Sequence, residues 1–216
     1  MIIGIQREVA KIVLAAAEPY GFALGGGSAL IEQGIINRAT QDIDSFTSNL
    51  DADSFSSACI AVTDELRNAG YEVDIKLSET WRSKMIVTDA TNEESTELEL
   101  SYYHREKQPV NVEDLGLVLD THDLVAGKMI AFWERATPRD YLDVDSILLN
   151  TDYTAPELFN LLKSGRPEAT MEEFSSLLTT ADRWNRHYIT YGLSKEEIVA
   201  LATRLTEQAN NLNQQV

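Results

Sequence analysis

Residues 22–47, FALGGGSALIEQGIINRATQDIDSFT, are the stretch that decides the fold of this 216-residue chain. An apolar run at residues 22–24 ends at three glycines, and Ser28 then caps what the pattern predicts to be a short helix. A strand, a glycine turn and a helix start bring backbone N–H groups and the positive helix end together, and a phosphate can bind there. Gly26, Gly27 and Ser28 are therefore candidate phosphate-binding residues.

Two carboxylates, Asp42 and Asp44, follow on the next predicted strand, residues 42–47. Alternate residues of a strand point to the same face. Two like charges on one face repel each other, and a divalent cation such as Mg²⁺ or Mn²⁺ is the usual reason for such a pair. The stretch therefore predicts a phosphate site and a metal site, which together form a nucleotide site. The alternative is a glycine turn beside a solvated acidic strand end.

The composition indicates a globular protein and limits its partners. The formal net charge is −17, with 44% hydrophobic and 25% charged residues, and no apolar run approaches the roughly 20 residues that span a bilayer. No membrane partner is therefore expected. Cys59 is the only cysteine, which excludes an internal disulfide and favours a cytoplasmic location. Because an acidic surface repels nucleic acid, the partner either contacts a local basic patch or is a small molecule or a protein.

The remaining sequence divides into a mixed part and a helical part. Apolar residues at helical spacing predict a first helix at residues 5–18, and alternating patterns predict further strands at 71–77, 84–88 and 96–103. After Pro109 the period changes, and Gly and Pro breaks predict helices at 122–135, 138–150, 155–164, 170–187 and 194–212. The predicted fold class is therefore α+β: a domain of mixed sheet with helices at residues 1–110, followed by an all-helical C-terminal domain at residues 111–216.

The first two predicted helices of the C-terminal part carry a second polar motif. Lys128 lies among apolar residues on its helix, so its stem runs along packed surface and its ammonium group needs an anionic partner. Asp140 and Asp143 are three residues apart, which places them near one another on one helix face. Arg135 and Arg139 either belong to this motif or form ordinary helix ion pairs with nearby acids.

The two motifs, in this order, resemble those of a known superfamily. Residues 26–30 (Gly-Gly-Ser-Ala-Leu) followed by residues 38–44 (Arg-Ala-Thr-Gln-Asp-Ile-Asp) resemble the signature of the DNA polymerase beta-like nucleotidyltransferase superfamily. More closely, they resemble the AbiEii/AbiGii-type toxin nucleotidyltransferases, which include the MenT-like group. The helical motif, Lys-x-x-Ala-x-x-x-Arg followed by Arg-Asp-x-x-Asp, is similar as well, so the resemblance covers residues 22–148. Gly25 stands where most relatives have a Lys or a similar residue.

The resemblance implies a polymerase-beta-like nucleotidyltransferase domain at the N-terminus. In such a domain Asp42 and Asp44 hold Mg²⁺ or Mn²⁺, and the glycine turn binds the β- and γ-phosphates of an NTP substrate. A third carboxylate is expected on the strand next to this acid pair. Glu99, on the predicted strand 96–103, fits that position best, and Glu97 is the alternative.

The helical motif has its own implied roles. Lys128 is expected to bind and neutralise the nucleotide phosphates as a catalytic residue. Asp143 is carried over as a catalytic or lysine-orienting acid, with Asp140 next in line. Arg38 either reaches the phosphates or braces the strand.

The resemblance also implies a biological role, the toxin of a type IV-like toxin–antitoxin system with a cognate antitoxin. In the MenT-like group the acceptor hydroxyl is at the 3′ end of tRNA, and an antitoxin kinase can phosphorylate the position that Thr40 occupies. Two alternatives remain open. One is a small-molecule nucleotidyltransferase of the aminoglycoside-modifying kind, which the acidic surface favours, and the other is a degenerate NTP-binding module.

Overall fold

The computed structural model describes residues 1–40 and 42–213, and its tertiary contacts divide the chain into two units. The first consists of residues 1–34 and 39–124, and the second of residues 35–38 and 125–216. The predicted division at residue 110 differs from this one. Residues 110–118 form two short strands that extend the sheet, so the N-terminal unit continues until the first turn of the following helix.

The N-terminal unit is built on a mixed sheet whose described strands follow the order β3-β4-β5-β2-β1-β7-β6. β2 is parallel to β5, β1 is parallel to β7, and the other neighbouring strands are antiparallel. The strands are β1 (Phe22–Gly25), β2 (Asp42–Thr47), β3 (Tyr71–Glu79), β4 (Arg82–Asp89), β5 (Ser95–Tyr102), β6 (Val110–Val112) and β7 (Gly116–Val118). β6 and β7 were absent from the sequence prediction because three residues are too few to display an alternating pattern.

Within the described residues of this unit lie the α-helices α1 (Ile5–Ala17), α2 (Gly26–Glu32) and α3 (Ala52–Asn68). α1 and α3 pack against each other and against the sheet, because each has buried apolar residues at helical spacing. The Asp51 carboxylate caps the start of α3. Burial alternates along β2, with Ile43, Ser45 and Thr47 buried. The intervening residues, which include Asp42 and Asp44, therefore point to the opposite face of the sheet.

The second unit is helical. Its elements are α4 (Thr121–Arg135), which begins in the first unit, α5 (Pro138–Asn150), α6 (Ala155–Gly165), α7 (Met171–Leu178), α8 (Asn185–Tyr188) and α9 (Lys195–Asn213). Phe132 is central to its core, with edge-to-face contacts to Tyr141 and Phe174 at centroid distances of 5.0 and 6.1 Å. No helix within residues 1–40 and 42–213 is long and apolar enough to cross a membrane.

One predicted helix, at residues 170–187, is wrong in its length. α7 ends at Leu178, and a 3-10 turn at Ala181–Trp184 separates it from the short α8. The hydroxyl groups of Thr179 and Thr180 donate to the carbonyls of Ser176 and Leu177 at 2.8 and 2.7 Å. These side chains satisfy the terminal carbonyls of α7 in place of another helical turn.

Candidate active site

The turn between β1 and α2 is shaped by two glycines that have no room for a side chain. Gly26 has a φ of 58°, and a Cβ atom there would lie 1.8 Å from Asp44 Oδ2. A Cβ atom at Gly25 would lie 2.2 Å from Cδ2 of Phe46. The backbone of the turn therefore lies directly against the Asp44 side chain. At position 25 a lysine would fit only if Phe46 moved.

Ser28 connects the glycine turn to the acid-bearing strand. Its side chain is buried, and its hydroxyl donates to the Asp42 carbonyl oxygen at 2.6 Å. This hydrogen bond joins α2 to the first residue of β2. The Ser28 hydroxyl thus positions Asp42, so a phosphate at this turn would be bound through main-chain N–H groups.

Four carboxylates lie in adjacent pairs on one face of the sheet. The strand register sets Glu97 beside Asp42 and Glu99 beside Asp44. All four line a cavity of about 260 Å³, together with Lys76 and Lys84 of the neighbouring strands. The strand next to the acid pair therefore carries carboxylates at the expected place. Glu99 is the neighbour of Asp44, and Glu97 is the neighbour of Asp42.

Two cations hold the Glu99 carboxylate. Arg82 donates from Nε and Nη2 to the two carboxylate oxygens at 2.8 and 3.0 Å, and the Lys84 ammonium lies 2.9 Å from Oε2. Partial burial would raise the pKa of Glu99, but the hydrogen bonds and charges of Arg82 and Lys84 outweigh it and lower the pKa below its ordinary value. With this ion pairing intact, Glu99 is a weak proton acceptor.

The second unit contains a buried cluster of opposite charges at the α4–α5 pair. Lys128 on α4 is 7% exposed, and Asp140 and Asp143 on α5 are fully buried. The Lys128 ammonium lies 2.7 Å from Asp143 Oδ2 and 3.8 Å from Asp140 Oδ1. The two acids of the Arg-Asp-x-x-Asp motif therefore meet the same lysine, as their helical spacing predicts.

Arg38 enters this cluster from the segment Ile35–Arg38. Its guanidinium forms a two-point contact with Asp143, from Nε to Oδ1 at 2.7 Å and from Nη2 to Oδ2 at 2.8 Å. Burial would lower the pKa of Arg38, but the hydrogen bonds and charge of Asp143 raise it above its ordinary value. Asp143 thus joins Arg38 to Lys128, and the contact of Arg38 with Asp143 was not apparent from the sequence.

The Asp140 carboxylate is surrounded by donors. Arg135 donates from Nε and Nη2 at 2.8 and 2.7 Å, and Thr137 donates from its backbone N–H at 3.1 Å and from its hydroxyl. Burial would raise the pKa of Asp140, but these hydrogen bonds and the Lys128 charge lower it below its ordinary value. Asp140 therefore also closes the capping box that begins α5.

The sequence matches the model of the nucleotidyl transferase AbiEii toxin family, of type IV toxin–antitoxin systems, over residues 12–196. The chain belongs to this family. The resemblance inferred from the motifs is thereby confirmed, and the match extends beyond residues 22–148. No curated protein matches the chain.

Solved structures share the fold of this chain. JHP933 from Helicobacter pylori is 15% identical, with a TM-score of 0.55, over 99% of this chain and 94% of that chain. MenT4, a nucleotidyltransferase toxin from Mycobacterium tuberculosis H37Rv, is 10% identical, with a TM-score of 0.53, over 97% of this chain and 86% of that chain. The predicted α+β fold of a nucleotidyltransferase domain followed by helices is confirmed.

Within this AbiEii-family chain, the acid pair on β2 fits a small divalent cation. Asp42 and Asp44 present oxygen donors on one face, and Gly26 leaves space for the Asp44 carboxylate. In the described residues no group of three or more His, Cys, Asp or Glu side chains is arranged to hold a metal. Mg²⁺ commonly binds through one or two carboxylates together with substrate phosphates. A site with two carboxylates matches that pattern.

Thr40 precedes the acid strand and is half-buried. Its carbonyl oxygen accepts a hydrogen bond from Gln6 Nε2 at 2.7 Å, which anchors the backbone to α1. Gln41 lies outside the described residues.

The basic residues on the acid-bearing face were missed by the sequence analysis. The predicted strand begins at residue 84, whereas β4 begins at Arg82. Ser83, Met85 and Val87 are buried on this strand, and Arg82 and Lys84 alternate with them. The alternation of buried and basic residues in the sequence 82–87 is the pattern from which both cations could have been predicted to lie on the same face of the sheet as Asp44.

Proposed function

We propose that this protein transfers a nucleoside monophosphate from an NTP to an acceptor hydroxyl at the 3′ end of tRNA. In this proposal it acts in the cytoplasm as the toxin of a type IV toxin–antitoxin pair and is held in check by a cognate antitoxin. The observation that carries the proposal is the contact between Gly26 and Asp44. It brings a backbone able to bind phosphate directly against the carboxylate pair on β2.

The residues of the sheet face would bind the triphosphate and the metal. Asp42 and Asp44 would hold Mg²⁺ or Mn²⁺, and that ion, when bound, would offset the phosphate charge and favour deprotonation of the acceptor hydroxyl. Main-chain N–H groups of Gly26, Gly27 and Ser28 would bind the β- and γ-phosphates. The fixed backbone conformation at Gly26 would keep these donors in place before the substrate arrives.

The helical cluster would supply a positioned positive charge. An ammonium group has three donors, and Asp143 accepts from that of Lys128 at 2.7 Å, which leaves donor capacity for a phosphate oxygen. Arg38 would act through Asp143, because its Nε and Nη2 groups bind that carboxylate. We therefore assign Lys128 to phosphate binding and Arg38 to the positioning of Asp143.

The transfer itself is an in-line displacement at the α-phosphorus. The acceptor hydroxyl loses its proton to a carboxylate on the sheet face, for which Glu99 is the candidate. The oxygen of the acceptor hydroxyl then forms a bond to the α-phosphorus as the bond between the α-phosphorus and the pyrophosphate leaving group breaks. Glu99 would be able to accept this proton only after its contacts with Arg82 and Lys84 are released.

Transfer of label from each α-labelled NTP onto total tRNA tests this proposal. Wild-type protein with Mg²⁺ should label tRNA, and Asp42→Asn should not, because the acid pair would lose one metal ligand. Asp74→Asn is the matched control, since it removes an exposed carboxylate from β3 of the same sheet. Failure of the wild-type protein to label tRNA with any NTP would contradict the tRNA acceptor. Equal labelling by folded Asp42→Asn would contradict the site.

We also propose Thr40 as a site of inhibitory phosphorylation. A phosphate two residues before Asp42 would add negative charge close to the acid pair and repel the triphosphate. Thr40→Glu should lower tRNA labelling, whereas Thr40→Val should retain it. Full activity of a protein phosphorylated at Thr40 would contradict this assignment.

A small cationic acceptor is the second candidate function. The net charge of −17 and the four carboxylates of the cavity would attract an aminoglycoside-like molecule. The discriminating measurement is pyrophosphate release with an aminoglycoside as sole acceptor. Release with the drug and no labelling of tRNA would favour this candidate over the first.

A further inference from the structure

We propose that Arg82 and Lys84 form a binding site for a backbone phosphate of a nucleic-acid acceptor, and that Glu99 fills this site until the acceptor arrives. The inference deepens the proposed function and rests on it for the identity of the reaction. It also has a binding readout of its own, which needs neither NTP nor catalysis.

The strand register places this site beside the acid pair. Lys84 of β4 lies next to Glu99 of β5, and Glu99 lies next to Asp44 of β2, so the three form one row across the sheet. Adjacent strands are about 4.8 Å apart, so Lys84 is about 10 Å from Asp44 along this row. An acceptor whose terminal hydroxyl lies at Asp44 would bring a neighbouring backbone phosphate to this position.

The chemistry of the two cations suits a phosphate. The planar guanidinium of Arg82 now binds both oxygens of Glu99, and the same two donors match two oxygens of a phosphate. The side chains of Arg82 and Lys84 are 47% and 41% exposed, so a ligand can approach them without unfolding the strand. Glu99 occupies the place that an anionic ligand would take.

The charge of the whole molecule makes a local basic site necessary for this kind of ligand. A chain with a net charge of −17 repels a polyanion over most of its surface. The side chains of both cations are partly exposed, so a phosphate can reach them and exchange with Glu99. The exchange would release the Glu99 carboxylate next to Asp44, where the proposed reaction requires a proton acceptor.

Fluorescence anisotropy of a labelled short oligoribonucleotide with a free 3′ hydroxyl tests the site. Arg82→Gln and Lys84→Gln should each weaken binding about tenfold, the effect of losing a hydrogen bond to a charged group. Each variant should also reduce the salt dependence of binding, with the slope falling by about one. Lys107→Gln is the matched control, because it removes an exposed cation of the same unit that does not belong to β4.

Three results would overturn the inference. The first is absence of binding by the wild-type protein, and the second is an equal loss of affinity in all three variants. The third is weaker binding of a fluorescent NTP analogue in Arg82→Gln and Lys84→Gln with unchanged oligoribonucleotide affinity, which would assign these cations to the nucleotide. Unchanged thermal unfolding should accompany each variant. Lys84→Arg, which keeps the charge, should bind at close to wild-type strength.

The role of Glu99 gives a second test, in which a substitution is expected to strengthen binding. Glu99→Gln removes the competing carboxylate and should strengthen oligoribonucleotide binding, whereas Glu97→Gln removes an equal charge on the same strand without freeing Arg82. A larger gain for Glu99→Gln than for Glu97→Gln is the expected result. Equal gains would mean that only net charge matters, and they would contradict displacement at this site. Because no turnover is measured, failure here is distinct from failure of the tRNA-labelling assay.

Discussion

The two charged clusters of this protein are built in different ways. The cluster on the sheet face has its carboxylates on neighbouring strands, lines a cavity and is partly exposed. The cluster on α4 and α5 is buried, and each of its acids is matched by a cation. The first is accessible from the cavity that it lines, whereas the second is buried and its acids are paired with cations. Substitutions in the first should therefore affect activity, and substitutions in the second should affect stability as well.

Asp44→Asn should show the largest difference between an effect on activity and an effect on stability. Loss of a proposed metal ligand should reduce tRNA labelling by more than about 100-fold, beyond the usual effect of removing an outer-shell partner. The free energy of unfolding should change little, because Asp44 lies on a partly exposed face. Urea unfolding alongside the transfer assay checks both statements. Large destabilisation would show that Asp44 has a structural role similar to that of the buried acids.

Asp143→Asn should affect both properties. Removing one partner of a buried charge pair costs about 3–5 kcal/mol of stability, because Arg38 and Lys128 would lose their shared carboxylate. Activity should fall as well, since Lys128 would lose its orienting contact. Tryptophan fluorescence during urea unfolding reports the change. A variant as stable as the wild type would contradict the buried network.

Arg38→Lys should have a smaller effect that distinguishes positioning from phosphate binding. Lysine retains the charge but cannot make the two-point contact with Asp143. We expect kcat to fall about tenfold, as for an outer-shell partner, with little change in KM for the NTP. A rise in KM with unchanged kcat would instead assign Arg38 to direct nucleotide binding.

The smallest expected effect is the pH dependence contributed by Asp140. Its pKa in the folded protein is lowered, so its contribution to stability is fully present above its ordinary pKa of 3.8 and is lost as the pH falls through the lowered value. The stability difference between wild type and Asp140→Asn should therefore shrink at acidic pH. The same comparison for Glu99→Gln should give a weaker effect, because Glu99 is more exposed. A difference that does not vary with pH would contradict the Asp140 assignment.

The sequence was informative wherever the periodicity of a strand or a helix determines which residues lie on one face. The spacing of Asp42 and Asp44 predicted one face of a strand, and the spacing of Asp140 and Asp143 predicted their meeting at one lysine. Contacts between distant parts of the chain were not predictable in this way. Arg38 and Asp143 are 105 residues apart, and no local pattern relates them. The Arg82–Glu99 pair depends on strand order, which periodicity does not specify.

The segment Ile35–Arg38 has a consequence for synthesis of the protein. It belongs with the helical unit, although the chain on both sides of it belongs to the sheet unit. On the ribosome, all residues of the sheet unit are synthesised before α5. The contact between Arg38 and Asp143 therefore forms only after the sequence of the sheet unit is complete. The sheet carboxylates are thus available earlier than the Lys128 cluster. A nascent or truncated chain that ends before Asp143 would therefore lack the Arg38–Asp143–Lys128 contacts of the helical unit.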